Sequence, residues 1–326
     1  MLADPTITTE RGGIKKKTKK IKPPRRKFSW GQVKRSWQLY VFILPAFIFF
    51  LVFCYQPMYG VIIAWKNYNP SLGIWGSPWV GWTYFQQFFH SYFFWDLIKN
   101  TLGISIYSLV VGFPLPIILA LSLNELKDKF GKKFAQTITY APNFISIVVI
   151  VGMLFAFLNP DTGIINNVVK FLGFKPIDFM SSPGWFKTIY VLSGVWQSTG
   201  WASVIYMAAL SGVDTQLHEA AIIDGASRLQ RAWYINLPTI APTIIILLIM
   251  NLGGLLNVGF EKIILMQNPL NQSASDVIST YVYRAGLLNG QYSFAAAIGV
   301  FNSVINAIIL IAANSITRKF SDSSLW

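Results

Sequence analysis

The 326-residue sequence is 53% hydrophobic, 16% aromatic and only 12% charged, about half the charged share of a soluble domain. With a mean hydropathy of +0.47 and several apolar runs long enough to cross ~30 Å of hydrocarbon, this excludes a soluble enzyme and a disordered tail. Its single cysteine, Cys54, lies in an apolar run, which excludes an intrachain disulfide and a cysteine-based metal cluster.

In chain order, residues 1–38 come first and carry twelve basic residues, from Arg11 to Arg35, against Asp4 and Glu10. Such a block cannot bury a core. No folded nucleic-acid reader follows it, so a nucleic-acid partner is not expected; cationic segments of membrane proteins stay on the cytoplasmic side. Trp30, Val33, Trp37 and Tyr40 recur at helical spacing with Lys34 and Arg35 between them, which predicts an elbow helix in the headgroup layer rather than a cleaved signal.

Six spans are predicted, at about 39–63, 100–124, 137–158, 187–210, 238–260 and 294–317. The expected fold is an all-α polytopic membrane protein: arm 1–38, membrane domain 39–317 with a polar loop at 211–237, and tail 318–326. An even number of spans puts both termini on one side. Placing them in the cytoplasm collects twenty of the 27 Lys and Arg residues there and leaves seven outside, the distribution the positive-inside rule requires. Prolines such as Pro45, Pro114, Pro142 and Pro242 are expected to kink bundled helices. The aromatic residues of 64–99 and 159–186 are expected to form interfacial belts. No internal repeat supports an inverted-repeat carrier.

The loop between the fourth and fifth spans carries the functional signal. Asp214 can cap a short helix running through Glu219, with Leu217, Ala220 and Ala221 on one face. Gly225 permits a left-handed turn that ends it. Ser227 and Gln230 have the form of a capping box opening a second short helix with Leu229 and Trp233 on one side, and Pro238 marks the start of the next span. The series Glu219-Ala220-Ala221, Asp224-Gly225-Ala226 and Ile235-Asn236-Leu237-Pro238 resembles the E-A-A, D-G-A, I-x-L-P loop of permease subunits of binding-protein-dependent ABC importers. The resemblance extends over about residues 37–320 and is greatest to the carbohydrate permeases of the oligosaccharide branch, which includes the alginate importer permease. The stretches from Asp276 to Arg284 and from Tyr292 to Gly299 are similar to the approach to the last span in these permeases; Thr215 departs from the proline often found at its position.

That resemblance implies a non-catalytic translocation subunit in the bacterial cytoplasmic membrane, working with a second six-span permease, two ATP-binding subunits and an extracytoplasmic solute-binding protein. The loop would be the coupling helix, with Glu219 and Asp224 as polar contacts, Ala220 and Ala221 as close-packing ones and Gly225 as the elbow. ATP and Mg would sit on the partner ATPases; this chain itself needs no cofactor or metal. The residues agree that the engine lies elsewhere: a phosphate-binding G-x-x-x-x-G-K-[ST] loop is missing, since Gly131-Lys132 is followed by Lys133 and has Leu126 where the first glycine should be.

Polar groups inside spans are costly unless paired or facing water, so their positions mark a candidate pathway: Gln197, Ser198 and Trp201 in the fourth span, Asn257 and Glu261 in the fifth, Asn302 and Asn306 in the sixth. Amides for sugar hydroxyls and an aromatic platform are what an oligosaccharide requires. Gln197, Ser198 and Trp201 also resemble, by spacing back from the loop, cavity-lining positions of related permeases. Interhelical hydrogen bonding is the alternative role for each, and Lys262 or Arg284 are alternative partners for Glu261. An acidic uronate oligomer such as alginate is the substrate suggested by resemblance. The competing readings are a permease for another solute, a membrane-bound glycosyl or lipid transferase, and an ion-coupled carrier. The transferase lacks a carboxylate and histidine cluster, His90 and His218 lying on opposite faces; the carrier lacks an ionisable residue near mid-membrane in the inner five spans.

Overall fold

The structure, a computed structural model, describes residues 37–126 and 128–320. The basic arm, the start of the elbow, Lys127 and the last six residues lie outside the described residues. The chain divides into two compact units between Met58 and Tyr59, so the boundary falls inside the first predicted span.

The first unit is helix α1 (Trp37–Phe49), continuing as a π turn over Phe50–Tyr55 and a last turn at Gln56–Met58. Pro45 lies within α1 and removes one helical N–H without ending the helix, which an unbroken apolar sequence sustains.

In the second unit, α2 (Phe94–Gly112) is followed after Phe113 by α3 (Pro114–Asn124), with Pro114 and Pro116 in the first turn, where their missing N–H groups have no helical partner to lose. Helix α4 (Lys129–Tyr140) is capped by Asp128, whose carboxylate accepts from the amides of Phe130 and Gly131 at 3.2 and 2.6 Å. After a 3₁₀ turn containing Pro142, α5 (Ile147–Phe157) starts at the Ser146 cap and leaves at 99° to the segment before it. The single span expected at 137–158 is therefore a bent pair. Helix α6 (Pro183–Leu210) leads into α7 (Thr215–Ile223) and α8 (Arg228–Arg231); α9 (Leu237–Gly253), α10 (Phe260–Met266) and α11 (Tyr292–Phe320) complete the bundle.

Among the described residues four helical runs are both long and apolar enough to span: 37–65, 94–124, 228–253 and 292–319; the bent pair makes five. Helix α6, at 28 residues, covers about 42 Å but is too polar to pass with them. The six predicted spans are thus not all recovered by length and apolarity together. The fifth also shifts: it starts near Arg228 and ends at Gly253, because Gly253-Gly254 and Gly259 flank a short turn in which the Asn257 amide bonds the Gly254 carbonyl.

Helices α3, α6 and α9 meet through Ala120, Tyr206, Leu210 and Ile240. A second cluster joins α2, α5, α6 and α10 through Ile104, Val151, Phe186, Ile263 and Met266. Where α6 crosses α4, a Cβ on Gly200 would lie 1.9 Å from the Thr139 carbonyl oxygen, so only glycine allows this approach.

The end of the bundle away from the 211–237 loop is ordered by buried asparagines. Fully buried Asn166 shares its two Nδ2 hydrogens among the carbonyls of Leu158, Asn159 and Ile177 at 3.0–3.1 Å and accepts from the Ile177 amide at 2.9 Å. Asn271, equally buried, donates to the carbonyls of Met180 and Met266 and accepts from the Asn268 amide and the Ser275 hydroxyl. Asp276 pairs with Arg284 and accepts from Thr280 Oγ1.

Candidate functional site

The loop folds as its caps dictate. The Asp214 carboxylate accepts from the Gln216 amide at 2.9 Å and starts α7. At its far end the Ala226 amide reaches the Ala221 carbonyl at 2.8 Å and the Gly225 amide reaches the Ile222 carbonyl at 3.1 Å, the paired bonds of a Schellman turn. Gly225 sits at φ +77° in the left-handed region that other residues adopt reluctantly. Ser227 and Gln230 then cap α8 reciprocally, at 2.8 and 3.3 Å. Glu219, Ala220, Asp224 and Gly225 are exposed and Ala221 is half-buried. Ile222, Ile223, Leu229 and Trp233 are also exposed, giving the elbow an apolar as well as an acidic surface.

From α8 the chain passes through a π turn, Ala232–Asn236, into α9 without leaving the helical path, so Arg228–Gly253 is one run of 26 residues. Pro238, in the first turn of α9, cannot donate to an earlier carbonyl, and the wide turn accommodates that missing bond. One side-chain link ties the loop to α3 and another ties its two halves together. Arg231 Nη2 meets Glu125 Oε2 at 3.5 Å, at the end of α3, and His218 Nε2 lies 2.9 Å from Oδ1 of fully buried Asn236. Replacing Glu125 by Gln leaves the mostly buried Arg231 guanidinium without its counter-charge, and a loss of about 2–3 kcal/mol is expected. Thermal unfolding of E125Q, R231Q and the double variant in detergent checks this: the double variant should lose less than the sum of the two.

A cavity of about 640 Å3 opens between α2, α6, α9 and α10. Gln197, Ser198 and Asn257 line it, with Ser105, Ser108, Asn251, Tyr190, Tyr206 and Lys262. Gln197 Nε2 donates at 3.0 Å to the Ile145 carbonyl, at the bend between α4 and α5. Asn257 stands in the turn after α9 rather than in a helix. Its Oδ1 accepts from Asn302 Nδ2 at 3.1 Å and Asn306 Nδ2 at 3.2 Å, and Asn306 in turn accepts from the Leu256 amide. Asn302 and Asn306 thus support the lining without being part of it.

Trp201 and Glu261 lie elsewhere. Trp201 packs edge-on against Phe144 with ring centroids 5.6 Å apart and does not line the cavity; the aromatic rings there are Tyr190, Tyr206 and Phe113. Glu261 is exposed on α10 and pairs with neither expected cation: Arg284 is held by Asp276, and Lys262 donates to the Tyr190 carbonyl at 3.0 Å. Glu261 and Lys262 are adjacent in sequence and so point in different directions from a helix. Lys262, only 6% exposed, also lies 4.9 Å from the Tyr190 ring centroid. In the sequence the signal for Lys262 is a lone cation directly after a span.

Residues 112–322, including the whole loop and three sides of the cavity, match the family described as the binding-protein-dependent transport system inner membrane component. The chain belongs to this family. Protein LplB of Bacillus subtilis (strain 168) is 44% identical over 299 residues, 91% of this permease and 94% of LplB. The polygalacturonan/rhamnogalacturonan transport system permease protein YteP of the same organism is 43% identical over 288 residues, 88% of this permease and 90% of YteP. Among solved structures, a chain of the bacterial alginate ABC transporter in complex with an alginate pentasaccharide-bound periplasmic protein superposes with a TM-score of 0.83 at 42% identity, covering 91% of this permease and 99% of that chain. This permease is therefore an all-α inner-membrane transport subunit of the ABC importer kind.

Proposed function

We propose that this permease passes an oligosaccharide into the cytoplasm as one half of a two-permease channel, with both termini on the cytoplasmic side. A solute-binding protein delivers the sugar to the end of the bundle opposite the loop. Two separate ATP-binding subunits, carrying ATP and Mg, engage the elbow at Glu219, Ala220, Ala221, Asp224 and Gly225. The observation that carries the reading is the unbroken helical run from Arg228 to Gly253. Displacing the elbow moves a helix that forms a cavity wall, because no flexible linker intervenes to absorb the movement. Gln197, Ser198 and Asn257 supply amide and hydroxyl groups of the kind that bind sugars. The names of the polygalacturonan relative and the alginate structure favour an acidic oligomer over other solutes.

The test is co-expression with a binding protein, a second permease and an ATPase from the same organism, reconstitution in liposomes, and measurement of ATP-dependent uptake of labelled oligosaccharides. Uptake that requires both ATP and the binding protein is expected; a purified single chain with transferase activity and no partners would overturn the reading.

A further inference from the structure

Among the described residues Lys262 is the one lining residue of the cavity with a formal charge, and no carboxylate lines it. Its ammonium is buried, sits against the glycine face of α6, where a Cβ on Gly194 would lie 3.4 Å from Nζ, and has one oxygen acceptor, the backbone carbonyl of Tyr190. An ammonium carries three donors, so two remain for the cavity. Lys66, also buried and without an acid partner among the described residues, is satisfied by two carbonyls, those of Ile74 and Trp75; Lys262 has one and faces a cavity. The two acid–base pairs among the described residues, Glu125–Arg231 and Asp276–Arg284, are both elsewhere. On the α2 wall of the same cavity the Ser105 hydroxyl is buried without a hydrogen-bond partner among the described residues. The remaining polar lining is neutral amide and hydroxyl.

We propose that Lys262 is the specificity-determining residue of the cavity, recognising a carboxylate of an acidic oligosaccharide, with the Ser105 hydroxyl as a second donor to the same sugar. The inference rests on the oligosaccharide reading above and adds the residue that distinguishes acidic from neutral chains. An anion entering the cavity supplies the missing counter-charge where water is scarce and charge attraction is strong. A neutral sugar would meet the same amides and hydroxyls but leave the ammonium uncompensated, a mismatch that discriminates by leaving a buried charge unpaired. The Tyr190 ring, against which the ammonium rests, limits the positions Nζ can take.

The experiment measures uptake of labelled tetramannuronate and of its carboxyl-reduced counterpart, mannotetraose, by the reconstituted importer carrying parent, K262Q or K262R permease. K262Q keeps a donor for the Tyr190 carbonyl while removing the charge; K262R keeps the charge. Acidic uptake is expected to fall about tenfold in K262Q, with mannotetraose uptake changing less than about twofold and K262R retaining most acidic uptake. Equal losses of both sugars in K262Q would overturn the proposal and make Lys262 a strut between α10 and α6. If the parent imports only the acidic tetramer, retention in K262R with loss in K262Q supports the proposal, and loss in both overturns it. A parent that imports mannotetraose but not tetramannuronate overturns the role of Lys262 while leaving the oligosaccharide reading intact. A parent that imports neither overturns that reading itself.

Discussion

Gly225→Val is expected to abolish ATP-driven uptake while the permease still inserts and accumulates in the membrane. At φ +77° the residue occupies left-handed backbone, and nothing lies within 4 Å of where its Cβ would be. The penalty is therefore conformational rather than steric crowding by neighbours. For a β-branched residue it amounts to about 2–3 kcal/mol, equivalent to a roughly 30- to 150-fold shift away from the native turn. Losing the turn opens the Schellman bonds at Ala226 and Gly225 and swings α7, with Glu219 and Ala220, away from α8. Asparagine tolerates the left-handed region far better, so G225N should retain most uptake. Uptake assays paired with membrane quantification separate these outcomes; equal uptake by the parent and G225V would remove Gly225 from the elbow role.

Asn271→Ala is expected to destabilise the end of the bundle opposite the loop strongly. The change strands the Met266 carbonyl, the Asn268 amide and the Ser275 hydroxyl proton around a position with no solvent access, while the Met180 carbonyl keeps its bond from Asn268 Nδ2. At roughly 1–3 kcal/mol for each unsatisfied buried group, partly relieved by relaxation, a net loss of about 3–5 kcal/mol follows. Thermal unfolding of the detergent-purified protein, with limited proteolysis of the 267–283 stretch, checks it. A midpoint unchanged from the parent would show that the neighbouring groups find other partners.

The elbow was legible in the sequence because its determinants are local. Asp214, Gly225, Ser227 and Gln230 each act within five residues, and the predicted caps and turn recur in the structure as hydrogen bonds and a positive φ. Membrane character was legible from apolar length, but span boundaries were not. The bend at Pro142–Ser146 and the glycine-flanked turn at 254–259 interrupt sequences that remain apolar throughout. Polar residues in spans pointed toward the cavity at Gln197, Ser198 and Asn257. Trp201 escaped that logic because its packing is set by a distant contact: Gly200 brings α6 onto the Thr139 carbonyl, and the adjacent indole settles on Phe144. Lys262 required the fold, since only the crossing of α10 with α6 shows that its neighbour is the Tyr190 carbonyl rather than Glu261. The roles of Asn166 and Asn271 depend on partners whose approach no spacing rule encodes.

The Asn166 cluster makes the segment between α5 and α6 independent of thiol chemistry. Small extracellular segments are commonly held in shape by disulfides, whose integrity follows the redox poise of the surroundings. Here the strand of chain between α5 and α6 is instead gathered by one carboxamide whose four bonds reach Leu158, Asn159 and Ile177, in a chain with a single cysteine. Reductants and thiol oxidants have nothing to act on in that segment. Its shape does not follow the redox poise of the medium, and its formation requires no thiol oxidation.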